Sequence, residues 1–163
     1  MQLQYKVMRK KIRLFLLFLA TNFGALGLGV LLMNNGSTSE WYYSLDKAPW
    51  SPEGWVFGAA WFSLMFCYSI YMADLVLHYE IPNTKLIVLY AMQWSLNVSW
   101  NYIFFNQHMT VLGLFVIVSL WLLVGYFAFN FLKNLKYRTL FIAPYLIWMT
   151  IAMSLNLYIV IQN

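Results

Sequence analysis

Cysteine occurs once, at Cys67, and histidine only twice, at His78 and His108, in a chain of 163 residues. One thiol excludes a disulfide scaffold and a cysteine-built metal cage. Two histidines so far apart do not supply a metal site. Charge is scarce as well: Asp, Glu, Lys and Arg make up 9% of the chain, against about 25% in an ordinary soluble domain. Such a chain cannot cover its surface with polar groups in water. That argues against a cytosolic enzyme, a disordered chain and a nucleic-acid-binding domain. A Walker phosphate loop is missing, so no ATP-driven motor is indicated. Within the apolar runs there is no Lys or Arg, and the one acid is Asp74. It stands roughly 28 Å along a helix from Trp55, which carries it to the membrane interface. An ion-coupled pump usually keeps an ionisable group near mid-membrane.

Apolar side chains are abundant instead. Hydrophobic residues make up 63%, aromatic residues 20%, and mean hydropathy is +0.66. Five runs have the roughly 20 residues needed to cross a bilayer core as helices: Leu14–Met33, Trp55–Leu75, Leu86–Phe105, Val111–Leu132 and Leu140–Ile161. Backbone groups in hydrocarbon must be satisfied within the protein, so each run is expected to be α-helical. The expectation is an all-α membrane protein, residues 1–163 forming one domain, with five transmembrane helices in one bundle. Short links should make successive spans antiparallel neighbours, including the Glu80-Ile81-Pro82-Asn83-Thr84 turn. Residues 34–54 form one long connection with no evident helix or strand pattern. Ser51, Pro52 and Glu53 read as the start of the second helix. Pro144 either kinks the fifth helix or marks its start near residue 143.

Basic residues are placed unevenly. Lys6, Arg9, Lys10, Lys11, Arg13, Lys85, Lys133, Lys136 and Arg138 fall on one side and only Lys47 on the other. Nine against one predicts the N-terminus inside and the long loop outside. The first run is long for a cleaved signal peptide and reads as a retained anchor.

Polar and large aromatic side chains recur on helical faces. In the third run these are Gln93, Asn97, Trp100, Asn101 and Phe104; in the second, Trp61, Met65, Tyr68 and Met72; in the fifth, Tyr145, Trp148, Ala152 and Asn156. Two readings compete. Amides and rings can glue helices together, or they can line a mostly aromatic pocket with a few orienting polar groups. Asn22 reads as a packing residue. Ala20-x3-Gly24 and Ala25-x3-Gly29 permit close helix approach.

One segment runs Trp41-Tyr42-Tyr43-Ser44-Leu45-Asp46-Lys47-Ala48-Pro49-Trp50-Ser51-Pro52-Glu53-Gly54-Trp55, with Trp61 beyond it. This resembles the signature of the translocator protein family, TspO/MBR or tryptophan-rich sensory proteins. Gln93 to Asn101 resembles the family's third-helix block, and Pro144 to Trp148 with Ala152, Leu155 and Asn156 its fifth. The resemblance implies five helices, often a homodimer, and a pocket beneath the long loop that takes protoporphyrin IX or similar lipophilic molecules. No metal or other cofactor is implied, and membrane lipid is the other partner. Carried onto matching positions, the pocket comprises Tyr42, Pro52, Trp61, Met65, Asn97, Trp100, Asn101, Trp148 and Ala152, to which the helical face of the third run adds Gln93. Trp61 and Trp148 match the tryptophans proposed in the family for light- and oxygen-dependent porphyrin breakdown. The resemblance thus implies a tetrapyrrole receptor, with photo-oxidation of the bound ring, passive carriage and a structural scaffold as alternatives. Ala48-Pro49, Glu53 and Met65 depart from the family pattern. No basic residue follows Tyr158, so sterol binding is not carried across. The membrane is expected to be a bacterial cytoplasmic one, or the mitochondrial outer membrane in a eukaryote.

Overall fold

The computed structural model describes residues 2–79 and 83–163. The helices are α1 (Gln2–Leu32), α2 (Glu40–Ser44), α3 (Gly54–Tyr79), α4 (Thr84–Asn101), α5 (Thr110–Asn130), α6 (Leu132–Leu135) and α7 (Ala143–Gln162). No strand occurs among the described residues. Four stretches are long and apolar enough to cross a membrane: Gln4–Thr38, Gly54–Tyr79, Thr110–Asn130 and Leu132–Gln162. α4, expected as the third span, is not among them, because Gln93, Asn97 and Asn101 dilute its apolar content.

The five long helices close a ring. α1 packs on α3 and α4, α4 on α5, α5 on α7, and α7 on α3. The chain neighbours α3 and α4 were expected side by side, but α1 lies between them. Large rings explain this: Tyr68 of α3 and Tyr90 of α4 meet with centroids 6.4 Å apart across the interior. Small residues let α1 enter. Ala25 and Gly29 are buried, and a Cβ on Gly29 would lie 2.6 Å from Asn101 Nδ2. Ala20 and Gly24, the other small pair, face outward. Large apolar side chains such as Leu16, Phe62, Phe115 and Ile147 cover the outside, as hydrocarbon requires.

Several boundaries differ from the sequence expectation. α1 begins twelve residues before Leu14, at Gln2, because its basic start is also helix-forming and Lys11 has a partner inside the fold. That partner is Asp74. Its carboxylate is 2% exposed, with Lys11 Nζ at 2.7 Å and Arg138 Nη1 at 3.4 Å. The first helical residue of α3 is Gly54, so Ser51 and Pro52 precede the helix rather than opening it. Pro144 falls in the first turn of α7 and does not kink it. The turn Glu80-Ile81-Pro82 lies outside the described residues. Asn22 is a packing residue as expected: buried, it donates to Ser69 Oγ at 2.9 Å and accepts from Tyr90 Oη at 2.7 Å.

The long connection is not featureless. Asn34 ends α1 in the left-handed conformation at φ 55°, which Asn tolerates. Gly36 follows at φ 53°, where a Cβ would collide with the Met33 side chain. Ser39 then caps α2, accepting from the Tyr42 amide at 3.2 Å, with Glu40 at the positive end of the helix.

Candidate functional site

Tyr145 of α7 is the hub of the interior. It is fully buried. Its hydroxyl accepts from Gln93 Nε2 and Asn97 Nδ2, both at 2.8 Å and one turn apart on α4. Trp61 and Tyr68 of α3 stand edge-on to its ring, at 6.2 and 5.3 Å. Met65 is fully buried in the same core. Three helices therefore deliver aromatic faces and uncharged amides to one place. Neutral amides can occupy such a core far more cheaply than ions.

The hydrogen bonding there is incomplete. Gln93 Oε1, Tyr68 Oη and Trp148 Nε1 are buried without a partner. Each such atom costs about 1–3 kcal/mol. Trp148 is 7% exposed, and its ring packs edge-on to Phe57 at 5.4 Å. Ala152, one turn further along α7, is also buried.

Trp100 belongs to a second cluster nearer the loop. Its Nε1 donates to Asn156 Oδ1 at 3.2 Å, and Asn156 Nδ2 donates to the Thr110 carbonyl at 3.0 Å. Gly113 permits this seam between α5 and its neighbours, since a Cβ there would sit 3.2 Å from the Phe104 ring and 3.3 Å from Asn156 Oδ1. Asn101 faces elsewhere. It lies against Gly29 of α1, its Nδ2 donating at 3.5 Å to the Asn97 carbonyl. Tyr42 is half-buried on the loop, its ring 5.3 Å from Phe105, and burial pushes its phenol above the usual value. Pro52 is half-buried just before α3. Tyr145 and Asn156 were visible as members of the α7 stripe, yet their bonding role was not. Phe57 carried no signal beyond its aromaticity.

The loop forms a roof fastened at two places. At one, Trp41 and Tyr42 rest on Phe104, Phe105 and His108. At the other, the Asp46 amide donates to Asn163 Oδ1 at 3.0 Å, and Trp50 Nε1 donates to Ser154 Oγ at 3.2 Å. Among the described residues, two of the open cavities flank the roof and α4. One of about 530 Å³ lies at the roof's edge, beside Asn35, Glu40, Trp41 and His108. The other, about 380 Å³, lies between α1 and α4 and is lined by Leu32, Trp94 and Tyr102 among others. None of the ten residues expected to line a pocket borders either one. In this conformation Trp61, Met65, Trp100, Trp148 and Ala152 pack in the apolar core, Gln93 and Asn97 bond to Tyr145, and Tyr42, Pro52 and Asn101 lie apart from them.

An apolar helical ring around a buried amide and aromatic centre is the architecture of an integral membrane protein. The TspO/MBR family profile matches residues 15–162, and the chain belongs to that family. It is similar to the tryptophan-rich sensory protein of Cereibacter sphaeroides, with 35% identity covering 88% of this chain and 87% of that one. The CrtK protein of Rhodobacter capsulatus is also 35% identical, over 74% of this chain and 76% of its own. Tryptophan-rich protein TspO of Chlorobaculum tepidum is 32% identical, over 77% and 81%.

Proposed function

We propose that this protein is a membrane sensor that binds a tetrapyrrole such as protoporphyrin IX in the core around Tyr145, beneath the roof. The carrying observation is the set of unpartnered buried atoms on three helices: Tyr68 Oη, Gln93 Oε1 and Trp148 Nε1. A bound molecule with both donors and acceptors, such as a ring of pyrroles bearing carboxyl groups, would satisfy them. Trp61, Trp100 and Trp148 offer faces on which a flat ring can stack, and Asn97 would orient its polar edge. Because Trp61, Met65 and Trp148 are packed in the core, entry requires the roof to lift and the rings to part. The name of one relative, tryptophan-rich sensory protein, supports the sensory part of this reading. We place the protein in a bacterial cytoplasmic membrane, with the N-terminus inside, all five long helices spanning, and a homodimer as the working unit.

A dark titration of purified protein with protoporphyrin IX tests the proposal. Tryptophan fluorescence should quench saturably, and Trp148→Ala should weaken binding at least about tenfold, which corresponds to about 1.4 kcal/mol. Unchanged affinity in that variant removes the site.

A further inference from the structure

Two irregularities meet where the roof touches the bundle. α4 does not end regularly: Tyr102–Asn106 is a π turn, a feature that concentrates at functional positions. It sets Phe104 against Trp41 at 5.6 Å and Phe105 against Tyr42 at 5.3 Å. His108 follows in the left-handed conformation at φ 57°, which few non-glycine residues adopt, histidine more readily than most. That backbone holds its imidazole flat on the indole of Trp41, centroids 4.1 Å apart and planes 11° from parallel. Trp41 belongs to α2, the helix of the roof. One exposed ring from the bundle and one half-buried ring from the roof thus form a clasp.

We propose that His108 is a pH-sensing clasp that holds the roof more firmly when its imidazole is protonated. Histidine is the side chain whose charge ordinarily changes between pH 5 and 8. A cation over an indole face is attracted by the ring quadrupole, whereas a neutral imidazole gains only stacking. The surrounding charges are few. Glu40, beside Trp41, is the charged side chain that lines the same cavity. Lys47 is directed elsewhere, onto the Tyr42 ring at 4.9 Å and the carbonyls of Tyr43 and Leu45. The last turn of α1 and the first turn of α5 carry no charged side chain. The clasp itself needs no ligand; only its consequence, slower ligand entry at low pH, rests on the reading that the binding site lies under the roof.

Hydrogen–deuterium exchange of the α2 amides tests the clasp, with intrinsic pH effects divided out. Between about pH 8 and about pH 5.5, protection should rise about two- to five-fold, the size of an exposed cation–π contact. His108→Asn, which accepts the left-handed backbone, should abolish the rise. Trp41→Leu, which keeps the imidazole but removes the indole, should abolish it too, and decides the matter if the first variant does not fold. Protection that is independent of pH in the unaltered protein, or a rise that survives in both variants, overturns the proposal. Protoporphyrin IX association is read in parallel. A slower on-rate at low pH extends the clasp to ligand entry. A pH-dependent clasp in a protein that binds no porphyrin at either pH supports the clasp and overturns the proposed function.

Discussion

The two halves of α3 live in different surroundings. From Tyr71 to Val76 every side chain is buried. The Tyr71 hydroxyl donates to the Phe127 carbonyl at 2.7 Å, and Asp74 holds two cations. From Gly54 to Ser63 no residue is fully buried, and Trp61 and Phe57 reach only the ring edges of Tyr145 and Trp148. Lys11 of α1 and Arg138 of the α6–α7 connection are tied to the first stretch through Asp74, while α7 meets the second through Tyr145 and Trp148. One half is built to stay shut. The other keeps unpartnered polar atoms at its inner boundary, a cost that the packing elsewhere offsets.

The largest expected effect lies in the closed half. Lys11→Met combined with Arg138→Met leaves Asp74 buried without either cation. Stability should fall by about 3–5 kcal/mol, read as thermal unfolding in detergent, and porphyrin affinity in the protein that still folds should hold. A small loss would mean that this half is not the anchor. Tyr145→Phe comes next. Gln93 and Asn97 lose their shared acceptor, at about 1–3 kcal/mol of stability, and on the proposed reading, in which the same amides orient the ligand, affinity should change with it. If stability falls and affinity does not, the hub is structural only. The smallest effect belongs to the roof. Trp50→Leu with Asn163→Ala removes one fastening made of exposed hydrogen bonds. Stability should move by about 1 kcal/mol, while porphyrin association and dissociation both quicken. Unchanged rates would show that entry does not pass under the roof.

The helical, membrane-embedded character was legible because apolar runs of sufficient length leave few alternatives. The start of α1 was not, since the ion pair that draws Lys11 into the fold joins residues remote in sequence. α2 was legible in principle: Ser39 followed by Glu40 is a helix-start signal, obscured by the surrounding aromatic residues. The α4 face was read well for Gln93, Asn97 and Trp100 and less well for Asn101. At about 100° per residue, a side chain eight positions on has turned about 80° from the first, and Asn101 accordingly meets α1. Helix order around the ring could not be read from short links, because tyrosine bulk between α3 and α4 and small residues on α1 decide it.

On the proposed function, the Trp148 indole N–H, buried without a partner, is held in reserve for a ligand. Indole ¹⁵N–¹H spectra during a dark protoporphyrin IX titration address it directly. The account predicts that the Trp148 signal shifts saturably, in step with fluorescence quenching, as its N–H gains an acceptor, while that of Trp55, 70% exposed, stays in place. Saturable quenching with the Trp148 signal unmoved would contradict it.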